Sequence, residues 1–389
     1  MHKRISISKL IEPMNQMRIA MLTYSTRPRG GVVHALSLAE AISAMGEEVM
    51  LFALKRRDID TSRVDFYRPT DVPYTLFEFD WHEDVRERLR SMADAFIENL
   101  PRDFDIYHAQ DCVCDTALQM LVSEEAIVPP TVRTVHHVER FSDPYLAKCE
   151  IMAVKADTVK TTVSSYWRKE LHEKFGIDST VIHNGIDLTR FPFRDGHREP
   201  FILFVGGMEA RKGLEFAIQT LEILARRGRD LKLIAIAKPG FKGTETRQWF
   251  DHLIDRCGLN SKVEIREMVS DSELRELYSR ASVFLLPSRM EGWGLSIMEA
   301  MASGCPVIAT PVGGVTEFVS DGETGILIDL GDLHGFAGAI ERLLDDEKLR
   351  DKLTHSARES LWKYTWKSAA EKTIELYMKI IVERKQATA

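Results

Sequence analysis

Pro287-Ser-Arg-Met-Glu291-Gly-Trp-Gly294-Leu-Ser296-Ile-Met-Glu299-Ala-Met-Ala302 follows an apolar run that stops at Leu286. A short apolar run closed by Pro reads as a buried strand of a parallel sheet. The loop behind it carries one carboxylate, Glu291, and two glycines, Gly292 and Gly294, that let main chain approach a ligand closely. A helix is expected from about Leu295. Its free N-terminal amides and its dipole suit phosphate oxygens. Glu299 stands eight positions after Glu291, a span of roughly 12 Å at helical rise. That spacing suits two carboxylates taking hydroxyls at opposite ends of an extended ligand, with an anion between them. An ordinary strand–loop–helix with two solvated glutamates is the alternative.

The same grammar occurs upstream in Phe204-Val-Gly206-Gly-Met-Glu-Ala-Arg211-Lys212-Gly213. A strand runs into a Gly loop, and Arg211 and Lys212 sit at the start of the next helix. Basic charge at a helix N-terminus is mildly unfavourable, so a bound anion explains the pair better than solvent does. Further strands are expected at 231–235, 263–266, 283–286, 307–309 and 325–328, with helices between them.

A second such set precedes it. A strand at 18–24 leads to Arg29-Gly30-Gly31 and then to a helical face of Val33, Leu36, Ala39, Ile42 and Met45, closed by Gly46. Strands follow at 49–53, 105–109, 132–135, 158–163 and 180–182. Helices are expected at 83–99 and 164–175, with Ser164 as N-cap. The polar stretch 194–200 reads as a linker. The expected architecture is α/β: two doubly wound, Rossmann-like domains, 17–193 and 201–365, facing each other across an interdomain cleft. Residues 1–16 show no period and read as a flexible extension, with Met17 as a plausible alternative start.

Composition narrows the function. Of 389 residues, 44% are hydrophobic, and no apolar run approaches the roughly 20 residues of a membrane span. No signal-peptide pattern is present. Five scattered cysteines suit reduced thiols in the cytoplasm, and Cys112-Val-Cys114 has no second pair with which to hold a metal. Net charge is −7, with 23 basic against 29 acidic residues up to Asp187 and 29 against 30 after it. Neither part is a polybasic surface, so no nucleic-acid partner is expected, and charge does not indicate membrane association. P-loop, G-x-S-x-G and H-E-x-x-H patterns are absent. The pair Asp58-Ile-Asp60 lies far from the phosphate loops and reads as structural.

Two weaker candidates remain. The Gly30-Gly31 loop lacks a full G-x-G-x-x-G, and His34 beyond it suits a core-facing position as well as a ligand contact. Val132-Arg-Thr-Val-His136-His137 places two histidines after a strand, where a polar residue is a site candidate; a satisfied loop histidine is the alternative.

Taken together, Glu291 and Glu299, the run Gly304-Cys-Pro306, Pro311-Val-Gly313-Gly314-Val-Thr-Glu317, Asp321-Gly-Glu-Thr-Gly325, Asn184-Gly-Ile-Asp187 and the Gly206…Lys212-Gly213 loop resemble the E-x7-E signature of the retaining family 4 glycosyltransferases. The resemblance covers nearly the whole chain from Met17. It implies the GT-B fold, with the C-terminal helix, 366–385, crossing back to the first domain. It further implies a metal-independent hexosyltransferase of carbohydrate biosynthesis, moving a sugar from a nucleoside-diphosphate sugar to an acceptor hydroxyl. No cofactor is implied. The acceptor, whether a sugar, a lipid-linked or a small molecule, is left open.

By the same resemblance, Glu299 would bind the donor ribose, and Glu291 would contact the donor sugar. Gly294, Leu295 and Ser296 would offer amides to the diphosphate, beside Gly206 and Lys212. His136 would contact the sugar near the reaction centre, and Gly31 would line the phosphate side. The family usually has Gly-Arg where this chain has Gly206-Gly207, and Arg211 stands nearby as a substitute. That departure keeps a non-catalytic sugar-nucleotide-binding or scaffold protein in view. An epimerase of the same fold is a further alternative.

Overall fold

The computed structural model describes residues 16–58, 65–124, 129–139, 141–239 and 244–388. The expected extension 1–16, apart from Gln16, and Asp60 of the D-x-D pair lie outside the described residues. The chain divides into two compact units. Unit 1 runs to Thr161 and adds Ile177–Thr180 and the chain from Ala369. Unit 2 comprises Thr162–Gly176 and Val181–Ser368.

Unit 1 is built on β1 (Arg18–Thr23), β2 (Glu48–Arg56), β3 (Tyr74–Phe79), β4 (Ile106–Ala109), β5 (Thr131–Val135), β6 (Val159–Thr162) and β7 (Thr180–Val181), in the order β3-β2-β1-β4-β5-β6-β7. The pairings from β3 through β5 are parallel. Ala20, Met21 and Leu22 of β1 are fully buried, as a strand covered on both faces requires. The order turns back at β1, which is flanked by β2 and β4, so the carboxyl ends of β1 and β4 open a crevice at the topological switch point.

Strand β3 is not expected from the sequence. It lies at the sheet edge, and its burial alternates, with Phe77 and Phe79 inward and Glu78 outward. Met45 is a correction. The helix Gly30–Ser43 ends before it, Gly46 turns with φ +98°, and Met45 is 41% exposed.

Unit 2 repeats the plan with β8 (Glu199–Val205), β9 (Lys232–Ile236), β10 (Val263–Arg266), β11 (Ala281–Leu286), β12 (Val307–Ala309) and β13 (Ile326–Leu327). The order is β10-β9-β8-β11-β12-β13, parallel throughout. Its switch point lies between β8 and β11, the two strands that feed the loops singled out in the sequence.

Two boundaries differ from expectation. Strand β8 already includes Glu199, held by Arg280 at 2.6 and 2.7 Å, which shortens the linker. The helix Ser165–Phe175, capped as expected by Ser164 on Trp167 N, packs with unit 2 and not with the sheet it follows. The reason is local. Glu317 Oε1 accepts from Tyr166 N at 3.1 Å, and Trp167 Nε1 donates to Glu291 O at 3.0 Å. The helix Trp366–Thr388 joins unit 1 from Ala369 onward, where buried Tyr377 meets His108 Nδ1 at 2.6 Å. Among the described residues no helix is long and apolar enough to cross a membrane, and all five cysteines are free thiols.

Candidate active site

The loops after β8 and β11 are fastened to each other before any ligand is considered. A short 3-10 turn, Ala210–Lys212, ends at Gly213, whose φ is +72°. A Cβ there would lie 2.0 Å from Pro287 O, so only glycine fits. Arg289 N donates to Arg211 O at 2.7 Å. Across this seam Lys212 Nζ lies 2.8 Å from both Glu291 Oε1 and Oε2, and Ser288 Oγ donates to Oε1 at 2.6 Å.

Glu291 is only 3% exposed. Burial pushes its pKa up, but the charges of Lys212 and Arg211 and the hydrogen bonds outweigh that and hold it below the ordinary carboxylate range. The sequence reading of Lys212 as a diphosphate ligand did not include this pairing with Glu291. Arg211 is also paired, with its Nη2 2.6 Å from Glu209 Oε2.

The main chain of Glu291 is equally constrained. Its carbonyl accepts from buried Trp167. Gly313, at φ +58°, passes so close that a Cβ would lie 1.9 Å from Glu291 O, and a Cβ on Gly314 would lie 2.7 Å from Gly292 O. Buried Trp293 stacks on His183, with centroids 4.7 Å apart, and donates to Met298 Sδ at 2.8 Å. The Gly313-Gly314 motif is thus a steric requirement of the Glu291 loop. Glu317 is a helix anchor that also meets His183 Nε2 at 3.1 Å.

Gly294 opens the helix Leu295–Ala302 from a left-handed conformation, φ +101°. Ile297 N and Met298 N both donate to Gly294 O, leaving the Leu295 and Ser296 amides at the open helix end. Only part of the interval from Glu291 to Glu299 is helical, so the 12 Å estimate does not apply. The two carboxylates have separate partners. Glu299 Oε2 accepts from Tyr278 Oη at 2.9 Å. Burial raises the Glu299 carboxyl to about 7, against the lowering effect of the Tyr278 hydrogen bond and of Arg190.

In unit 1 the sites cluster at the corresponding crevice. Gly31 follows β1, Gln110 follows β4 and His136 follows β5. A Cβ on Gly31 would lie 3.5 Å from the His136 ring. His136 Nε2 is 3.1 Å from Gln110 Oε1, and the His34 ring meets it edge-on, with centroids 4.8 Å apart. His34 is buried in its helix. Burial first, then His34, holds His136 well below the usual histidine pKa, so the ring is neutral. His137 turns away to Glu139 at 2.8 Å.

In unit 2, Gly206 belongs with Lys212 and Glu291, since a Cβ there would lie 3.4 Å from Lys212 Cγ. Three neighbours went unrecognised in the sequence. Gln110 and Ser288 could have been found from their places just past strand ends. Tyr278 sits inside the helix Asp271–Arg280 and carries no sequence signal. Among the described residues no three His, Cys, Asp or Glu side chains form a metal-ligand set.

Comparison with known proteins fits this geometry. The family described as Glycosyltransferase Family 4 matches residues 28–190, and that described as Glycosyl transferases group 1 matches residues 186–360. A D-inositol 3-phosphate glycosyltransferase of Corynebacterium glutamicum is 34% identical, covering 93% of this chain and 96% of its own. The chain belongs to the family 4 glycosyltransferases. Among solved structures, the sucrose-phosphate synthase of Thermosynechococcus elongatus matches this glycosyltransferase with a TM-score of 0.80 at 21% identity, over 95% of this chain and 100% of the other. Anabaena Alr3699/HepE, solved in complex with UDP-glucose, matches with 0.76 at 16% identity, over 94% and 100%. At these identities the likeness concerns fold, and the fold of this glycosyltransferase is GT-B, with two Rossmann-like domains.

Proposed function

We propose that this glycosyltransferase moves a hexose from a nucleoside-diphosphate sugar to an acceptor hydroxyl with retention of configuration and without a metal ion. The observation that carries the reading is the pairing of half-buried Lys212 with buried Glu291 at the switch-point crevice of unit 2, the latter in the loop that leads to the open helix end at Gly294–Ser296. A nucleoside diphosphate matches that arrangement. Glu299, once ionised, accepts from the ribose hydroxyls. The amides of Leu295 and Ser296 and the charges of Lys212 and Arg211 take the diphosphate. HepE, solved with UDP-glucose on the same fold, supports this choice of donor class.

The chemistry follows from charge. As the anomeric C–O bond lengthens, negative charge gathers on the leaving diphosphate. Prepositioned amides and Lys212 stabilise it most at that moment. The sugar gains oxocarbenium character, and Glu291, held ionised, provides the negative field that favours it. The acceptor oxygen enters on the face the diphosphate is leaving. It passes its proton to the departing phosphate oxygen, so configuration is retained and no protein base is consumed. His136, neutral in unit 1, accepts a hydroxyl of the transferred sugar.

The test is a panel of UDP-, GDP- and ADP-sugars screened by thermal shift, since a true donor raises Tm by linkage. Nucleotide release is then followed with candidate acceptors and with chelator. Acceptor-dependent release, an α-linked product from an α-linked donor and activity in EDTA are expected. Binding without release overturns the enzyme reading in favour of a scaffold. Activity lost in EDTA and restored by magnesium or manganese overturns metal independence.

A further inference from the structure

Gln110 is 3% exposed, directly beyond β4, and its own main-chain N–H donates to Leu22 O of β1 at 3.0 Å. Its side chain has two neighbours of opposite chemistry. The amide nitrogen lies 3.0 Å from Met21 Sδ, and the amide oxygen lies 3.1 Å from His136 Nε2. A thioether can only accept, whereas a neutral imidazole has one donor and one acceptor nitrogen. The NH2 group therefore faces sulfur, and the oxygen faces His136. An amide oxygen can only accept, so His136 must donate from Nε2.

We infer that Gln110 is a positioning residue: it locks His136 in the Nε2–H tautomer and so presents the Nδ1 lone pair as an acceptor for a hydroxyl of the transferred sugar. The sugar-facing part rests on the transferase reading; the tautomer does not. With Nε2 committed and the ring neutral, Nδ1 is left as a fixed acceptor. Among the described residues no side chain donates to it. The charged or titratable groups around the ring are His34, His137, His108 and Arg133, all of which oppose a second proton on it. His108 is itself committed, with Tyr377 at Nδ1 and Thr134 at Nε2, and takes no part. A hydroxyl reaching His136 is thus recognised as a donor, and a ligand lacking that hydroxyl is discriminated against. This coupling runs from a core methionine through one amide to the ring.

The experiment begins without ligand. Long-range 1H–15N spectra of histidine-labelled full chain, with His136 assigned through His136→Asn, report the tautomer between pH 6 and 8. The expected result is a neutral Nε2–H ring throughout. In Gln110→Leu the ring should become a mixture of tautomers. Turnover of the sugar nucleotide chosen by the thermal-shift panel should then fall about tenfold in kcat, the size of one neutral hydrogen bond, with donor KM within about twofold. Gln110→Glu restores an acceptor at the same place. It should keep the Nε2–H tautomer, recover most of kcat and raise the His136 pKa, which also separates positioning from damage to the fold. An Nδ1–H ring in the parent overturns the inference, as does Gln110→Leu with parental tautomer and kcat. A parent that turns over no sugar nucleotide sinks the transferase reading and the sugar-facing part with it. The ligand-free tautomer still decides the role of Gln110.

Discussion

Lys212 Nζ lies 2.8 Å from both carboxylate oxygens of Glu291. The cation and the anion of the unit 2 site therefore neutralise each other, and Ser288 completes the carboxylate's hydrogen bonding. A buried pair of this kind holds its geometry because breaking either half strands a charge. The pair fixes Lys212 against Glu291 and keeps Glu291 ionised.

Removing both partners should consequently cost clearly less than the sum of removing each. Glu291→Ala or Lys212→Ala alone should lower unfolding free energy by about 3–5 kcal/mol, and the double variant by clearly less than the sum. Urea unfolding of the four proteins measures it, and additive losses would remove the coupling. Burial holds the Lys212 ammonium below its ordinary range against the charge of Glu291, so the stabilising sign with pH is carried by Glu291. Its folded pKa is depressed, so its stabilisation is present above the unfolded carboxylate pKa and is lost as pH falls through the folded value.

Glu299 should make nucleotide binding pH-dependent near neutrality. Its carboxyl is raised to about 7, and ribose hydroxyls require the ionised form. The dissociation constant of the cognate nucleoside diphosphate should fall about tenfold between pH 6 and 8. Glu299→Gln should flatten the profile, and Tyr278→Phe should move it to higher pH by removing a hydrogen bond that favours the anion. For stability the sign is reversed. A raised carboxyl pKa favours the folded state below the unfolded pKa, and that contribution is lost as pH rises through about 7. Calorimetry across the pH range decides it, and a flat parental profile would withdraw the ribose role. Glu299→Ala should cost about 1.5–3 kcal/mol of donor binding.

Arg211 should carry part of the diphosphate charge. Its guanidinium is held by Glu209 at 2.6 Å beside Lys212. Arg211→Ala should cost about 1.5–3 kcal/mol in kcat/KM, the range for hydrogen bonds to charged groups. Gly207→Arg should rescue it. Gly207 is not left-handed, and the three atoms nearest to a Cβ there all belong to the flexible Glu209 side chain, the closest being Oε1 at 3.1 Å. Kinetics of the single and paired variants provide the check; a parental Arg211→Ala would make Arg211 a bystander.

The two histidines after β5 should separate cleanly. His136→Ala should lower kcat with nucleotide affinity retained, because the ribose and the charged diphosphate contacts proposed here, Glu299, Lys212 and Arg211, all belong to unit 2. His137, paired with Glu139, should tolerate alanine. Titration with nucleoside diphosphate alongside turnover tests both, and equal losses in affinity and rate for His136→Ala would mark it as structural.

Much of the fold was legible because parallel strands buried on both faces must be continuous apolar runs, and the turns after them need glycine. That is why β8 and β11 and their loops stood out around Gly206 and Gly294. Strand β3 escaped because an edge strand alternates, as Tyr74–Phe79 does. Met45 misled because the helical period continues up to Gly46, whereas the helix itself already ends at Ser43.

Residue order by itself determined the two α/β sets, the placement of Glu291, Lys212, Gly31 and His136 at strand ends, and the family to which the chain belongs. These depend on local period and on motifs a few residues long. Tertiary structure alone decided that Lys212 pairs with Glu291, that Tyr278 holds Glu299, that Gln110 reads His136, and that the Ser165–Phe175 helix packs with unit 2. Each of those contacts except the Tyr278 one joins residues 26 or more positions apart, and the Tyr278 one joins residues 21 apart. Sequence separation carries no information about which strand ends become neighbours. That is set by strand order, which brings β8 beside β11 and β1 beside β4 only once each sheet has formed.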